Sequence, residues 1–208
     1  SENGALFRKH TTCLRLWTSS NGAILFPSDH KLYVDLSFYK DMQRKLGGGG
    51  DFANDRIIPD CVRAVEKGDT IIVRNPNSTR PYQHVLEPLK IYLMIVEAQY
   101  KNHELEGYYN VGPNDCDCRT TGELVTLFCK LWGDGASWKD VSEANAPHEA
   151  NFLRLDTTKV KTVFGWQPRW SVEEAVEKIV EWTKVYFDGG DISAIMDKQI
   201  NEFFELED

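Results

Sequence analysis

No stretch of the 208-residue sequence approaches the roughly 18 uncharged apolar residues that a membrane helix requires, so a helical membrane span is not expected. The N-terminus SENGALFRKH has no basic start followed by an apolar run and a small-residue cleavage site, so no signal peptide is read there. Positive charge is also scarce: 24 Lys+Arg face 32 Asp+Glu, a formal net charge of −8. Broad nucleic-acid binding needs clustered Lys and Arg to meet phosphates, so no nucleic-acid partner is expected. A small anionic ligand needs only one or two local cations and remains open. The five cysteines are an odd number without framework spacing, which reads as reduced thiols in a cytoplasmic protein. Cys116-Asp117-Cys118 lacks a second Cys or His pair at zinc spacing, so no metal site is expected.

Two chemical signatures are missing as well. A dinucleotide fingerprint needs Gly-x-Gly-x-x-Gly between a strand and a helix, with an acidic residue about 20 positions on. Gly47-Gly48-Gly49-Gly50 instead runs straight into Asp51, whose charge would repel a pyrophosphate. There is no Tyr-x-x-x-Lys pair; Tyr39, for instance, is followed at the fourth position by Gln43. Glu173 and Glu174 lie at a helix start, where they complement the dipole rather than form a catalytic dyad.

What is present is uneven. Residues 1–47 carry 7 Lys+Arg against 4 Asp+Glu, while the remainder carries 17 against 28. Residues 1–46 have short apolar patches without a sustained period; KLYVDLSF reads as a strand and FYKDMQRKL as a short helix. Beyond the glycines the signals become orderly. DRIIPDCVRAVEKGD predicts a helix entered near Pro59 and closed by Gly68. TIIVRN predicts a strand, and LEPLKIYLMIVEAQY a helix with Leu89, Leu93, Val96 and Tyr100 on one face. GYYNVGP reads as a short strand and turn. Thr120 and Glu123 form a capping box for a helix ending at Gly133. NFLRLDTTKVKTVFGW predicts a strand, an Asp156 cap and a short helix stopped by Gly165. Ser171 and Glu174 cap a further helix with Val176, Ile179, Val180 and Trp182 near one stripe, and a last helix follows Gly189-Gly190. Strands separated by helices argue an α/β or α+β arrangement.

Two clusters stand out as chemistry. Arg80, Tyr82 and His84 put a fixed cation, an aromatic face and a titratable ring within five residues of a strand-to-helix connection. A plain turn needs none of them, and the guanidinium fork suits phosphate oxygens. An alternative is that Arg80 pairs with an acid while Tyr82 and His84 sit in the core. The second cluster, His148 and Glu149, falls in a proline-started turn before an apolar stretch, with a solvated loop as its alternative.

The segments GGGDFANDRIIPDCVRA, VRNPNSTRPYQHVLEPL, YYNVGP, PHEANFLRLDTTK and FGWQPRWSVEEAVEKIVEW, in this order and spacing, resemble the C-terminal half of the CDP-glucose 4,6-dehydratases. These are extended short-chain dehydrogenase/reductases of the nucleotide-sugar branch. The resemblance covers residues 48–189, leaving 1–47 unassigned and 190–208 as a C-terminal helix. It implies an α/β enzyme of which this chain holds the substrate-binding lobe and the last strands and helices, α+β on their own, without most of the Rossmann sheet. It implies a lyase reaction in which NAD takes hydride from C4 of CDP-glucose, water leaves across C5 and C6, and the hydride returns at C6. It places Arg56 and Arg80 at the diphosphate, Tyr82 and His84 at the pocket wall or the strand behind it, and His148 and Glu149 near the cytidine. The NAD site would belong to a half that this chain does not contain. Activity by this chain alone is therefore not expected, and its partner would be CDP-glucose or a related CDP-sugar. Self-association or pairing with a Rossmann-containing chain would complete it. The other readings are a non-catalytic CDP-sugar-binding module and a structural, oligomerising piece.

Overall fold

The computed structural model describes residues 56–142 and 152–204, together with the backbone of 24–25 and 31–32. In the N-terminal stretch, β1 (Ile24–Leu25) pairs antiparallel with β2 (Lys31–Leu32), which falls within the predicted strand KLYVDLSF. The short helix read from FYKDMQRKL lies outside the described residues.

The ordered part begins with α1 (Ile57–Lys67), with Pro59 in its first turn and Gly68 closing it in the left-handed conformation at φ 68°. That is the asymmetry its sequence called for. Strand β3 (Ile71–Val73) follows and pairs in parallel with β6 (Trp138–Asp140), with Ile71 opposite Trp138 and Val73 opposite Asp140. Strand β4 (Thr79–Arg80) pairs antiparallel with β5 (Arg119–Thr120), and a single parallel bridge joins Thr79 to Phe152. The strand predicted around NFLRL is reduced to that bridge.

Five further helices complete the fold: α2 (Leu86–Lys101), α3 (Thr121–Trp132), α4 (Thr158–Phe164), α5 (Val172–Phe187) and α6 (Ile192–Phe204). Both capping boxes form, Thr120 with Glu123 and Ser171 with Glu174, each pair satisfying two N–H groups that the helix itself cannot. At α4 the N-cap is Thr157, while the Asp156 carboxylate accepts from the Thr158 N–H at 2.9 Å.

The buried residues separate into two clusters. The larger joins α1, β3, α3 and α5 through Ile58, Cys61, Val62, Ile71, Val73, Leu124, Val125, Phe128, Val172, Val176, Ile179 and Val180. The smaller joins α2 and α4 through Ile91, Ile95, Tyr109, Val111, Val160 and Trp166. Burial pushes the Cys61 thiol far above its ordinary pKa, making it an inert core residue.

Three expectations are corrected. The buried face of α2 is Glu87, Pro88, Ile91, Ile95, Val96 and Gln99, whereas Leu93 and Tyr100 are 47% and 40% exposed. Residues 107–113 form no strand; side chains hold this segment instead. Lys159 Nζ donates to the Tyr108 carbonyl at 3.2 Å and Lys161 Nζ to Asn114 Oδ1 at 2.7 Å, while Asn110 donates to the Asp156 carbonyl at 3.2 Å. On α5 the buried stripe runs through Thr183 rather than the half-buried Trp182. The Thr183 hydroxyl is accommodated there by donating to the Ile179 carbonyl at 2.7 Å.

Candidate functional site

The connection from β3 to α2 is anchored on the first turn of α3. The Thr121 and Gly122 N–H groups donate to the Ser78 and Pro76 carbonyls at 2.9 and 2.8 Å. The Thr121 hydroxyl sits 2.8 Å from Ser78 Oγ and 2.9 Å from Tyr82 Oη. Gly122 permits this approach, since a Cβ there would lie 3.2 Å from both the Pro76 ring and its carbonyl oxygen. Tyr82 is therefore half-buried against the larger cluster with its hydroxyl tied to α3.

Arg80 is half-buried on β4, and one guanidinium nitrogen donates to the Thr79 carbonyl at 3.0 Å. Directly across the β4–β5 pair stands Arg119, which is exposed. Arg56 stands exposed at the N-cap of α1. His148 and Glu149 lie outside the described residues.

His84 departs from the pocket-wall expectation. It is buried, its ring meets Trp170 edge-on at 4.8 Å, and its Nδ1 accepts from the Leu86 N–H at 3.3 Å. Burial, aided by the Lys178 charge, lowers its pKa from 6.5 to about 4. The native state therefore holds a neutral imidazole. Its contribution to stability is complete above pH 6.5 and is lost as the pH falls from 6.5 toward 4. A loss of about 3 kcal/mol over that window is expected in denaturant titrations, and His84→Gln should flatten the profile.

Sequence reasoning passed over Glu87, which is fully buried at the start of α2. Its Oε1 accepts from the backbone N–H groups of Arg169 and Trp170 at 2.8 and 2.7 Å, tying α2 to the turn that leads into α5. Burial raises its carboxyl above the ordinary pKa despite those two donors. Nothing local marks this role, because the donors lie more than 80 positions away. Arg119 was missed for a similar reason: only strand register brings it opposite Arg80.

The fold of this part of the chain is that of the extended short-chain dehydrogenase/reductases that act on nucleotide sugars. A solved UDP-glucose 4-epimerase from Stenotrophomonas maltophila, with bound NAD and formylated UDP-arabinopyranose, superposes with a TM-score of 0.57 at 12% identity, over 69% of this chain and 44% of that one. Within that family the sequence is similar to CDP-glucose 4,6-dehydratase of Salmonella typhimurium, with 41% identity over 157 residues. That match covers 75% of this chain and 44% of the relative, so the chain spans less than half the length of this curated relative.

The N-terminal stretch points elsewhere. Residues 5–67 match a family model described as "Putative neutral zinc metallopeptidase". Over 37 residues the chain is 51% identical to the uncharacterized protein YpfJ of Escherichia coli K12, covering 18% of this chain and 13% of that protein. The residues present do not fit the zinc such a family implies. None of the histidines at 10, 30, 84, 103 and 148 stand four apart, so the His-Glu-x-x-His pair is not in the sequence. Among the described residues no group of three or more His, Cys, Asp or Glu could hold a metal ion. Nor is any described helix long and apolar enough to cross a membrane.

Proposed function

We propose that residues 48–189 are the substrate-binding part of a CDP-glucose 4,6-dehydratase, with 190–208 as a C-terminal extension and 1–47 drawn from the unrelated metallopeptidase-like family. The observation that carries this reading is the similarity to the Salmonella enzyme across three quarters of the chain. It is supported by a guanidinium, Arg80, on the strand beside the α3-anchored loop. The ligand is a CDP-sugar, the diphosphate meeting Arg80 and Arg56, with Tyr82 lining the pocket and His148 and Glu149 toward the cytidine. His84 acts from behind, fixing the loop by its packing on Trp170 rather than by touching the ligand.

In the family NAD takes up and returns a hydride. The residues present do not fit that cofactor: the sequence has neither the Gly-x-Gly-x-x-Gly loop nor a Tyr-x-x-x-Lys pair. The chain is accordingly a cytoplasmic nucleotide-sugar-binding lobe that needs a Rossmann-containing chain for turnover.

Arg80→Gln is the direct test. It should weaken CDP-glucose binding by about tenfold or more, in line with loss of one charge-assisted contact to a phosphate, while leaving the melting temperature near that of the parent. Equal affinity of parent and variant, or equal affinity for CDP-glucose and UDP-glucose, would remove the basis for the proposal.

A further inference from the structure

The antiparallel register places Arg80 and Arg119 directly opposite each other, hence on the same face of the β4–β5 pair. Side chains so related have Cβ atoms about 4.5–5.5 Å apart, and like charges there repel. One acid bears on Arg119, the Glu123 carboxylate. That carboxylate is already committed to the capping box, accepting from the Thr120 N–H at 2.8 Å and the Thr120 hydroxyl at 2.9 Å.

The nearby helix N-terminus cannot take an anion in their place. The first N–H groups of α3 are spent: Thr121 on the Ser78 carbonyl, Gly122 on the Pro76 carbonyl, and Glu123 on the Thr120 hydroxyl. Any anion bound at this edge must therefore be met by side chains. Arg80 has one nitrogen on the Thr79 carbonyl, which orients the guanidinium and leaves further N–H donors on its fork. Phe152, bridged to the other side of β4, carries its own cation, the Arg154 guanidinium 4.8 Å from its ring. Arg154 stands two residues beyond Phe152 and shares the Thr79 face by strand alternation, away from Arg80 and Arg119.

The geometry points to Arg119 as a second cation of the ligand site: with Arg80 it clamps the diphosphate of the nucleotide sugar across the β4–β5 pair. This rests on the nucleotide-sugar reading above and adds a residue to it. Two guanidiniums held in register suit a group with two adjacent anionic phosphates, and the bound diphosphate removes the repulsion between them.

The test measures the affinity of the full chain for CDP-glucose and for inorganic pyrophosphate in the parent, Arg119→Gln, Arg119→Lys and Arg80→Gln, with melting temperatures of the unliganded proteins. Arg119→Gln is expected to bind both ligands about tenfold more weakly, with Arg119→Lys intermediate. Without ligand, Arg119→Gln should melt no lower than the parent, because a like-charge pair has been removed. Parental affinity in Arg119→Gln alongside weakened binding in Arg80→Gln would overturn the role of Arg119 and leave the nucleotide-sugar reading standing. Pyrophosphate binding that depends on Arg119, with CDP-glucose bound no tighter than pyrophosphate, would keep the arginine clamp and overturn the nucleotide-sugar reading. Affinities unchanged in all three variants would overturn both.

Discussion

Glu87→Ala is expected to destabilise the protein by about 3–5 kcal/mol, measured by urea unfolding at neutral pH. The carboxylate is fully buried and accepts two backbone N–H groups, those of Arg169 and Trp170. Alanine leaves both donors unsatisfied in a water-poor interior, at about 1–3 kcal/mol each, and opens a cavity besides. Glu87→Gln separates the causes. Its amide oxygen can accept both bonds, so it should lie within about 1 kcal/mol of the parent. The two proteins should also differ in pH dependence. Burial raises the Glu87 pKa in the native state. Its stabilisation is therefore complete below the unfolded-state pKa and declines as the pH rises through the folded value. The glutamine variant should gain on the parent toward alkaline pH, the opposite sense to the His84 effect at acid pH.

Phe203→Ala is expected to cost about 3–5 kcal/mol, the range for truncating a buried aromatic. Phe203 is fully buried near the end of α6, with its ring edge-on to Trp170 at 4.9 Å. The same Trp170 packs on His84 and donates its N–H to Glu87. The rest of the α6 attachment is polar: Gln199 donates to the Lys178 carbonyl at 2.9 Å, and ion pairs join Lys178 to Glu202 and Lys198 to Glu181. Such exposed pairs contribute little singly, so they should not hold α6 once the aromatic contact is gone. Limited proteolysis should then cut the variant near Gly189-Gly190 under conditions that leave the parent intact. A resistant variant would show that α6 docks through its ion pairs.

The loop from Ser78 to Glu87 thus has two ends with different tasks. Arg80 and Tyr82 face the first turn of α3 and the β4–β5 edge, while His84 and Glu87 are fixed to the turn that enters α5. A mutation at the buried end should lower stability and, through the loop, ligand affinity. One at the exposed end should lower affinity alone.

Much of the fold was legible because its signals are local. Thr120 with Glu123, Ser171 with Glu174, and the stops at Gly68 and Gly165 each act within a few residues of the backbone they satisfy, and each appears where expected. The buried face of α2 was not legible. Leu89 and Ile91 through Val96 are apolar in an almost unbroken run, so periodicity does not select a side. Packing against Tyr109, Val160 and Trp166 selects Ile91 and Ile95, leaving Leu93 outside. The segment 107–113 has strand-forming residues, yet its polar backbone is met by Lys159 and Lys161 side chains. In the candidate site, Arg80 could be singled out by type. Arg119 depends on strand register, and Glu87 on a contact across most of the chain; neither is encoded in a short window.

The central claim is that this chain carries a nucleotide-sugar site of its own. Calorimetric titration of the intact chain with CDP-glucose, with and without NAD, tests it most directly. The account predicts saturable binding whose affinity is the same in both titrations. The absence of heat up to millimolar CDP-glucose, or binding that appears only with NAD, would contradict it.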